Sequence, residues 1–196
     1  MLKENSTWLE ASDVIQMFPT LVWTFQLKPE LCNVIDPAIL TALATMRQDL
    51  PKLDRGQGWQ SDPALHQRKD FSSLMRCVTT AARSILRFWG IGDKAYEITG
   101  CWANVLATGA AHKIHSHPNN FHDPRSQTGI IRPPVVELTA ENADQTVIRV
   151  RNGMLLRFPS YLQHSVDVNT SDRERISISF NIMFSNFTQE MSQPLW

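Results

Sequence analysis

The strongest constraint on the fold comes from residues 175–182, Arg-Ile-Ser-Ile-Ser-Phe-Asn-Ile, where polar and apolar side chains alternate strictly. Successive side chains of a β-strand point to opposite faces. We therefore expect the isoleucines and Phe180 on one face, and Ser177, Ser179 and Asn181 on the other. A strand with small polar residues on one face suits a barrel whose interior admits a polar ligand.

Two helices are predicted ahead of this strand. Apolar residues recur at intervals of three and four over residues 70–89, and Gly90 follows as a stop signal. Asp36 and Pro37 together predict the start of a shorter helix, because aspartate caps a helix and proline fits its first turn. Its core face would comprise Ile39, Leu40, Leu43 and Met46.

Strand-like segments dominate the second half of the chain, which predicts an α+β fold with the helices bracing a β-sandwich or barrel. We expect one domain over residues 1–196, with mostly helical support at 17–95, a β-barrel core at 96–186 and an irregular loop at 123–142. Strands are predicted at 18–25, 97–106, 147–151 and 154–158. A loop is predicted at 56–61 and a turn at Asn152-Gly153.

Composition and charge exclude several classes of function. The formal net charge is zero and 42% of the residues are hydrophobic, so no bulk field draws the chain to nucleic acid or to an anionic membrane. We expect neither partner. No signal peptide and no apolar run of about 20 residues is visible. Cys32, Cys77 and Cys101 lie far apart, which favours reduced thiols and a cytoplasmic location. The charged turn at 172–174 is interpreted as solvated.

The histidines are clustered, because five of the six lie after residue 111. His115 and His117 would project to the same face of a strand and could hold one metal ion. His164, 47 residues after His117, would be a distant third ligand from another strand. Asp123 is a rival third ligand, since it would offset part of the charge of the ion; same-side spacing favours His117. Imidazole and carboxylate ligands suit iron, and such a facial site leaves positions for a 2-oxo acid and O₂.

Arg175 follows His164 by eleven residues, at the head of the alternating strand. If both line one cavity, the guanidinium could hold a carboxylate through two parallel hydrogen bonds, and Ser177 could add a third. The alternative is a histidine-rich loop with an unrelated surface arginine. A zinc hydrolase on the same histidines is a further alternative, weakened by the lack of an obvious general base beside them.

Several motifs of the sequence resemble those of a known protein family. The run Gly-Met-Leu-Leu-Arg-Phe-Pro-Ser-Tyr-Leu-Gln-His at 153–164, the segment Glu-Arg-Ile-Ser-Ile-Ser-Phe-Asn-Ile at 174–182 and His-Ser-His-Pro at 115–118 resemble the motifs of a family of 2-oxoglutarate-Fe(II) oxygenases found in bacteria and phages. Weaker matches, which extend the resemblance over nearly the whole chain, are Met-Phe-Pro-Thr at 17–20, Gly-Trp-Gln-Ser at 58–61 and Trp-Ala-Asn at 102–104.

The resemblance implies a double-stranded β-helix core of the jelly-roll or cupin-like type. It implies Fe(II) held from the His115–His117 region and by His164, with 2-oxoglutarate and O₂ as cosubstrates and Arg175 on the far carboxylate. The chain would then be a dioxygenase that hydroxylates a small molecule, such as an amino acid or a natural-product intermediate. Candidate substrate contacts are Trp102, Asn104 and Asn181.

One departure from the family pattern falls after the H-x-H-P motif. The family continues there into a further strand and a glycine turn, whereas here Asn119-Asn120 runs directly into Phe121-His122-Asp123-Pro124. About one strand is therefore missing beside the expected iron site. Either another part of the chain or a partner subunit, as in a homodimer, replaces it, or the protein is a catalytically impaired or regulatory metal-binding jelly-roll.

Overall fold

Helices come mainly first and antiparallel strands mainly later in the computed structural model, which describes residues 20–90, 95–116 and 146–184. The mixture agrees with the expected α+β class. The elements in chain order are β1 (Trp23–Gln26), α1 (Pro29–Met46), β2 (Gly58–Gln60), two 3₁₀ turns (Leu65–Gln67 and Lys69–Phe71), α2 (Ser72–Phe88), β3 (Tyr96–Leu106), β4 (His112–His115), β5 (Met154–Arg157), β6 (His164–Val166) and β7 (Arg175–Phe184).

The central feature is the antiparallel pairing of β3 with β7, to which β2 adds on the other side of β3. Residues directly opposite each other in a ladder share a face. Val105, Ala103 and Cys101, which are all fully buried, lie opposite Ile176, Ile178 and Phe180. The alternation of residues 175–182 is therefore confirmed as one apolar and one polar face.

The helices cover the apolar face of this sheet. Helix α2 follows the predicted stripe, and Gly90 lies just beyond it in the left-handed conformation, at φ 66°. The isoleucines and Phe180 of β7 pack against the same cluster as the helices. Its fully or nearly fully buried members include Leu43, Leu65, Phe71, Val78, Cys101 and Ala103.

The predicted start of the first helix is wrong. Helix α1 begins at Pro29, eight residues earlier, and Pro37 lies inside it. Pro29 occupies the first turn, where a missing N–H costs no hydrogen bond, so either proline could have marked the start. The buried residues of the helix are Cys32, Ile35, Ile39, Ala42 and Leu43, so Ile39 and Leu43 of the predicted face are confirmed, whereas Leu40 is 51% exposed.

Three other local predictions need correction. Residues 58–60, predicted as loop, form β2, because β3 offers them a partner. Residues 147–151, predicted as a strand, form none, and Val147 is 78% exposed. Trp89, placed in the core stripe, is 42% exposed and makes an edge-on contact with Trp23 at 4.9 Å between ring centroids.

The turn predicted at Asn152-Gly153 is confirmed, and it leads into β5 beside the end of β1. Gly153 has φ 70°, and its carbonyl accepts a 2.9 Å hydrogen bond from the N–H of Leu27. A Cβ atom at this position would lie 2.5 Å from Sγ of Cys32. Both the conformation and the space therefore require glycine.

An ion pair ties α1 to the head of β7, at the end of the turn at 172–174, which is exposed as predicted. Arg47, 7% exposed, donates two hydrogen bonds to the Glu174 carboxylate at 2.7 and 2.8 Å. The guanidinium also stacks 5.7 Å from the ring centroid of Trp59. The paired arrangement explains why a charged residue is retained next to the core.

Within the ranges described above, no helix is long and apolar enough to span a lipid bilayer.

A matched pair of leucine substitutions in α1 tests the observed helix face. Leu43 is 2% exposed and Leu40 is 51% exposed. We expect Leu43→Ala to lower the free energy of unfolding by about 2–5 kcal/mol, because it removes buried methyl groups and leaves a cavity. Leu40→Ala should change it by less than about 0.5 kcal/mol. Urea unfolding followed by circular dichroism measures both, and equal losses would contradict the face assigned here.

The Arg47–Glu174 pair predicts an acid-sensitive part of the stability. Hydrogen bonding to Arg47 lowers the pKa of Glu174 in the folded protein below its ordinary value of 4.5. Between these two pKa values the unfolded chain binds more protons, so stability falls as the pH falls. We expect the stability difference between wild type and Glu174→Gln to be full above pH 4.5 and to shrink as the pH drops through the lowered pKa. A difference that stays constant with pH in urea titrations would refute this assignment.

Candidate metal centre

His115 and His164 lie directly opposite each other in the short antiparallel pair formed by β4 and β6. Opposed residues project to the same face, and the two imidazole rings are 4.3 Å apart between centroids. The structure therefore brings together two histidines that are far apart in sequence, as the motif spacing predicts.

Backbone carbonyls fix the orientation of both rings. Nδ1 of His115 lies 2.8 Å from the carbonyl oxygen of Lys113, and Nδ1 of His164 lies 2.9 Å from that of Leu162. A carbonyl can only accept, so each Nδ1 must carry the proton. In the neutral rings the lone pair is then on Nε2, which is the arrangement typical of histidines that bind a metal.

The pair has an aromatic ring and a third histidine close to it. The ring of Phe158 lies 4.7 Å from that of His164, between centroids, and gives the site an apolar side. His112 lies 6.1 Å from His115, measured in the same way. Partial burial is the main cause that lowers the pKa of His112, and His115, Arg175 and His164 add to it. The lowered pKa favours the neutral ring at His112, which is the form in which a histidine can bind a metal.

Arg175 lies beside the histidine pair, although it belongs to the larger sheet. Its Nη2 donates a hydrogen bond to the carbonyl of Asp167, one residue after the end of β6. Its charge also acts on His112. A guanidinium carries five N–H donors in a fixed fork, so the contact with one carbonyl leaves capacity to bind a carboxylate.

The other predicted contacts share the polar face of β3 and β7 with Arg175. Ser177 lies opposite Asn104, and Ser179 lies opposite Trp102. Asn104 is 3% exposed and donates a 3.2 Å hydrogen bond from Nδ2 to Oγ of Ser179. Asn181 lies further along, opposite Gly100. The register thus groups every predicted cosubstrate and substrate contact on one surface.

Both candidates for the third ligand lie outside the described part of the site. His117 and its rival Asp123 both lie outside the residues that the structure describes, as does the segment after Asn120 that departs from the family pattern. Among the residues it does describe, no three side chains of His, Cys, Asp or Glu form a group that could hold a metal. The described part of the site is therefore a pair of imidazoles with an arginine beside it.

Two further residues of the site were not selected by sequence reasoning. His112 lies on β4 opposite Val166 and joins the same cluster, but an H-x-x-H spacing on a strand places its two histidines on opposite faces, so the pattern gave no reason to choose it. Asn169 organises the loop between β6 and β7. The signal for it was the polar run Asn-Thr-Ser-Asp at 169–172, which is typical of turns with side-chain hydrogen bonds to the backbone.

Residues 119–181 match the model of a protein family described as "Putative 2OG-Fe(II) oxygenase". The matched stretch contains His164 and Arg175 and covers less than half of the chain. No curated protein matches the chain. The match supports the general function of an oxygenase that uses Fe(II) and 2-oxoglutarate, and it specifies no substrate.

The described residues of the site fit an iron ion. Imidazoles are suitable ligands for Fe(II), and here two of them lie 4.3 Å apart between ring centroids, each with Nδ1 turned toward a carbonyl; the described site contains no thiolate, which would favour zinc. A positive guanidinium near the ion suits an anionic ligand that bridges the two.

Substitution of each histidine tests the pair. We expect His115→Ala and His164→Ala each to weaken Fe(II) binding by more than about tenfold, because loss of a ligand should cost at least as much as loss of a group that orients one. Anaerobic calorimetry measures the affinity. His66→Ala is the matched control, since His66 lies in the first 3₁₀ turn, and it should bind like wild type. An equal effect of all three substitutions would exclude a metal centre at the pair.

Proposed function

We propose that this chain is an Fe(II)- and 2-oxoglutarate-dependent dioxygenase that oxidises a small molecule. The observation that carries the proposal is the opposed pair His115 and His164, with Nδ1 of each ring held by a carbonyl and with Arg175 bonded to the carbonyl of Asp167, just after the strand of His164. The family match over residues 119–181 supports the same reaction class.

The third iron ligand in this proposal is His117, because residues two apart would project to the same side if the strand of His115 continued to it. Asp123 is the alternative, and it would leave the site with less positive charge. Replacing each in turn distinguishes them, because only the true ligand should weaken Fe(II) binding.

The 2-oxoglutarate would be held at its far carboxylate by Arg175, with Ser177 as a further donor. Both side chains lie on the same face of β7, two residues apart. A planar guanidinium binds a carboxylate through two parallel hydrogen bonds, which orients the molecule as well as attracting it. Arg175 would thereby set the direction of the cosubstrate, with its 2-oxo acid end toward the histidines.

Iron, when bound, supplies the activation of O₂: one oxygen atom enters succinate as 2-oxoglutarate loses CO₂, and the other enters the substrate. The chain contributes orientation and shielding. Carbonyl contacts to Nδ1 keep both imidazoles as metal ligands. The ring of Phe158 against His164 excludes water from one side of the site.

The substrate would lie on the polar face of β3 and β7, against Trp102, Asn104 and Asn181. A face of this size, with amide and hydroxyl groups and one indole, fits a small polar organic molecule rather than a nucleic acid or a membrane. We propose in addition that the described sheets belong to a double-stranded β-helix, the fold that the family resemblance implies.

Cosubstrate binding tests the role of Arg175. We expect anaerobic addition of 2-oxoglutarate to the Fe(II)-loaded protein to give a weak visible charge-transfer band. Arg175→Met should weaken 2-oxoglutarate binding by about 10- to 100-fold, because a hydrogen bond to a charged group contributes about 1.5–3 kcal/mol. Fe(II) binding should persist, since the histidines are unchanged.

Arg173→Met is the matched control, because Arg173 is an exposed arginine two residues earlier in the chain. It should bind 2-oxoglutarate like wild type. Metal binding without any effect of 2-oxoglutarate on the spectrum, together with no succinate formed under O₂, would contradict the proposed function and favour a non-catalytic metal-binding protein.

A further inference from the structure

Asn169 is a buried polar residue in the loop between the histidine strand β6 and the arginine strand β7. It is 4% exposed, although its neighbours Val168 and Thr170 are exposed. A buried amide is costly unless its hydrogen bonds are made, so its partners define its role.

The side chain of Asn169 uses both of its ends. Nδ2 donates to the carbonyl oxygens of Leu106 at 3.0 Å and Arg173 at 2.7 Å. Oδ1 accepts from the N–H of Ser171 at 3.2 Å and from its hydroxyl at 2.8 Å. Two donors and two acceptor sites are the full capacity of an amide, so the side chain is satisfied in this one orientation.

The backbone of Asn169 makes two further bonds to the turn between β3 and β4. Its N–H donates to the carbonyl of Ala110 at 2.8 Å, and its carbonyl accepts from the N–H of Gly109 at 2.7 Å. The Thr108 hydroxyl donates to the carbonyl of Ser171 at 2.7 Å, which adds a second link between the same two segments. The β3–β4 turn and the β6–β7 loop are the two connections between the larger sheet and the histidine sheet, and they are therefore hydrogen-bonded to each other.

This junction lies between the two ends of the candidate site. Leu106, which accepts from Asn169, is the cross-strand partner of Arg175 in the larger sheet. On the other side, Ala110 precedes His112, which pairs with Val166 in the histidine sheet. The distance between the histidine pair and Arg175 consequently depends on how the two sheets meet at Asn169.

We propose that Asn169 is a positioning residue that sets this distance and so selects the length of the 2-oxo dicarboxylic acid that the site accepts. The inference rests on the proposed function, because it assumes that the acid bridges the metal and Arg175. A ligand held at both ends is sensitive to a change in the spacing of its two anchors.

A series of acids that differ by one methylene group provides the test. Oxaloacetate, 2-oxoglutarate and 2-oxoadipate are titrated by anaerobic calorimetry into the Fe(II)-loaded wild type and into Asn169→Asp. The carboxylate keeps the size of the amide but cannot donate to the carbonyls of Leu106 and Arg173. We expect the variant to bind 2-oxoglutarate about tenfold more weakly, to lose its preference among the three acids, and to bind Fe(II) alone as wild type does.

Thr108→Val is a second variant, in case Asn169→Asp does not fold. It removes the hydroxyl that holds Ser171 while preserving shape, so its preference among the three acids should shift in the same direction by a smaller factor. Thr170→Ala is the matched control, because Thr170 is exposed in the same loop, and it should keep the wild-type preference.

The outcomes separate the inference from the proposed function. If the wild type binds none of the acids, the proposed function fails and the inference fails with it. If the wild type prefers 2-oxoglutarate and the folded variants retain that preference, or weaken all three acids by one common factor, the positioning role is refuted while the proposed function stands.

Discussion

The antiparallel pairing of β3 with β7 is the interaction on which the rest of the structure depends. Its apolar face, with Ala103 and Ile178 opposite each other, holds the helices, and its polar face, with Asn104 and Ser177 opposite each other, carries the candidate contacts. This one pair of strands therefore packs the core with one face and presents the candidate contacts on the other, because successive side chains of a strand point to opposite sides. The hydrophobic energy of the core is gained on the face opposite the candidate contacts.

The site depends on a second, smaller sheet that could not stand alone. Strands β4 and β6 are short, and a two-stranded pair of this kind is at most marginally stable in water. Its position is secured where it joins the larger sheet, through the hydrogen bonds of Asn169 and through the contact of Arg175 with the carbonyl of Asp167. The opposed histidines are therefore held by groups that are themselves not ligands, which is a common feature of metal sites.

Sequence alone predicted the elements whose periodicity is long and regular, such as β7 and most of α2, and the spacing that brings His115 and His164 together. Sequence-based prediction failed where the local structure depends on contacts with residues far away in the chain. Residues 58–60 become a strand only because β3 is available as a partner. Glu174 is exposed as predicted, but its ion pair is not visible in the sequence because Arg47 is remote, and the polar run at 169–172 indicates a turn without showing that Asn169 bonds to the carbonyls of Leu106 and Arg173.

The pairing of Arg47 with Glu174 has a consequence for how relatives of this chain can diverge. It fixes the residue immediately before β7, so the strand cannot slide by one position without breaking the ion pair. Such a slip would also turn Ile176 to the polar side and Ser177 into the core. Evolution can therefore exchange side chains along β7 one at a time, whereas insertions and deletions should be confined to the loop before Glu174, and gain or loss of a single residue within the strand should be eliminated by selection.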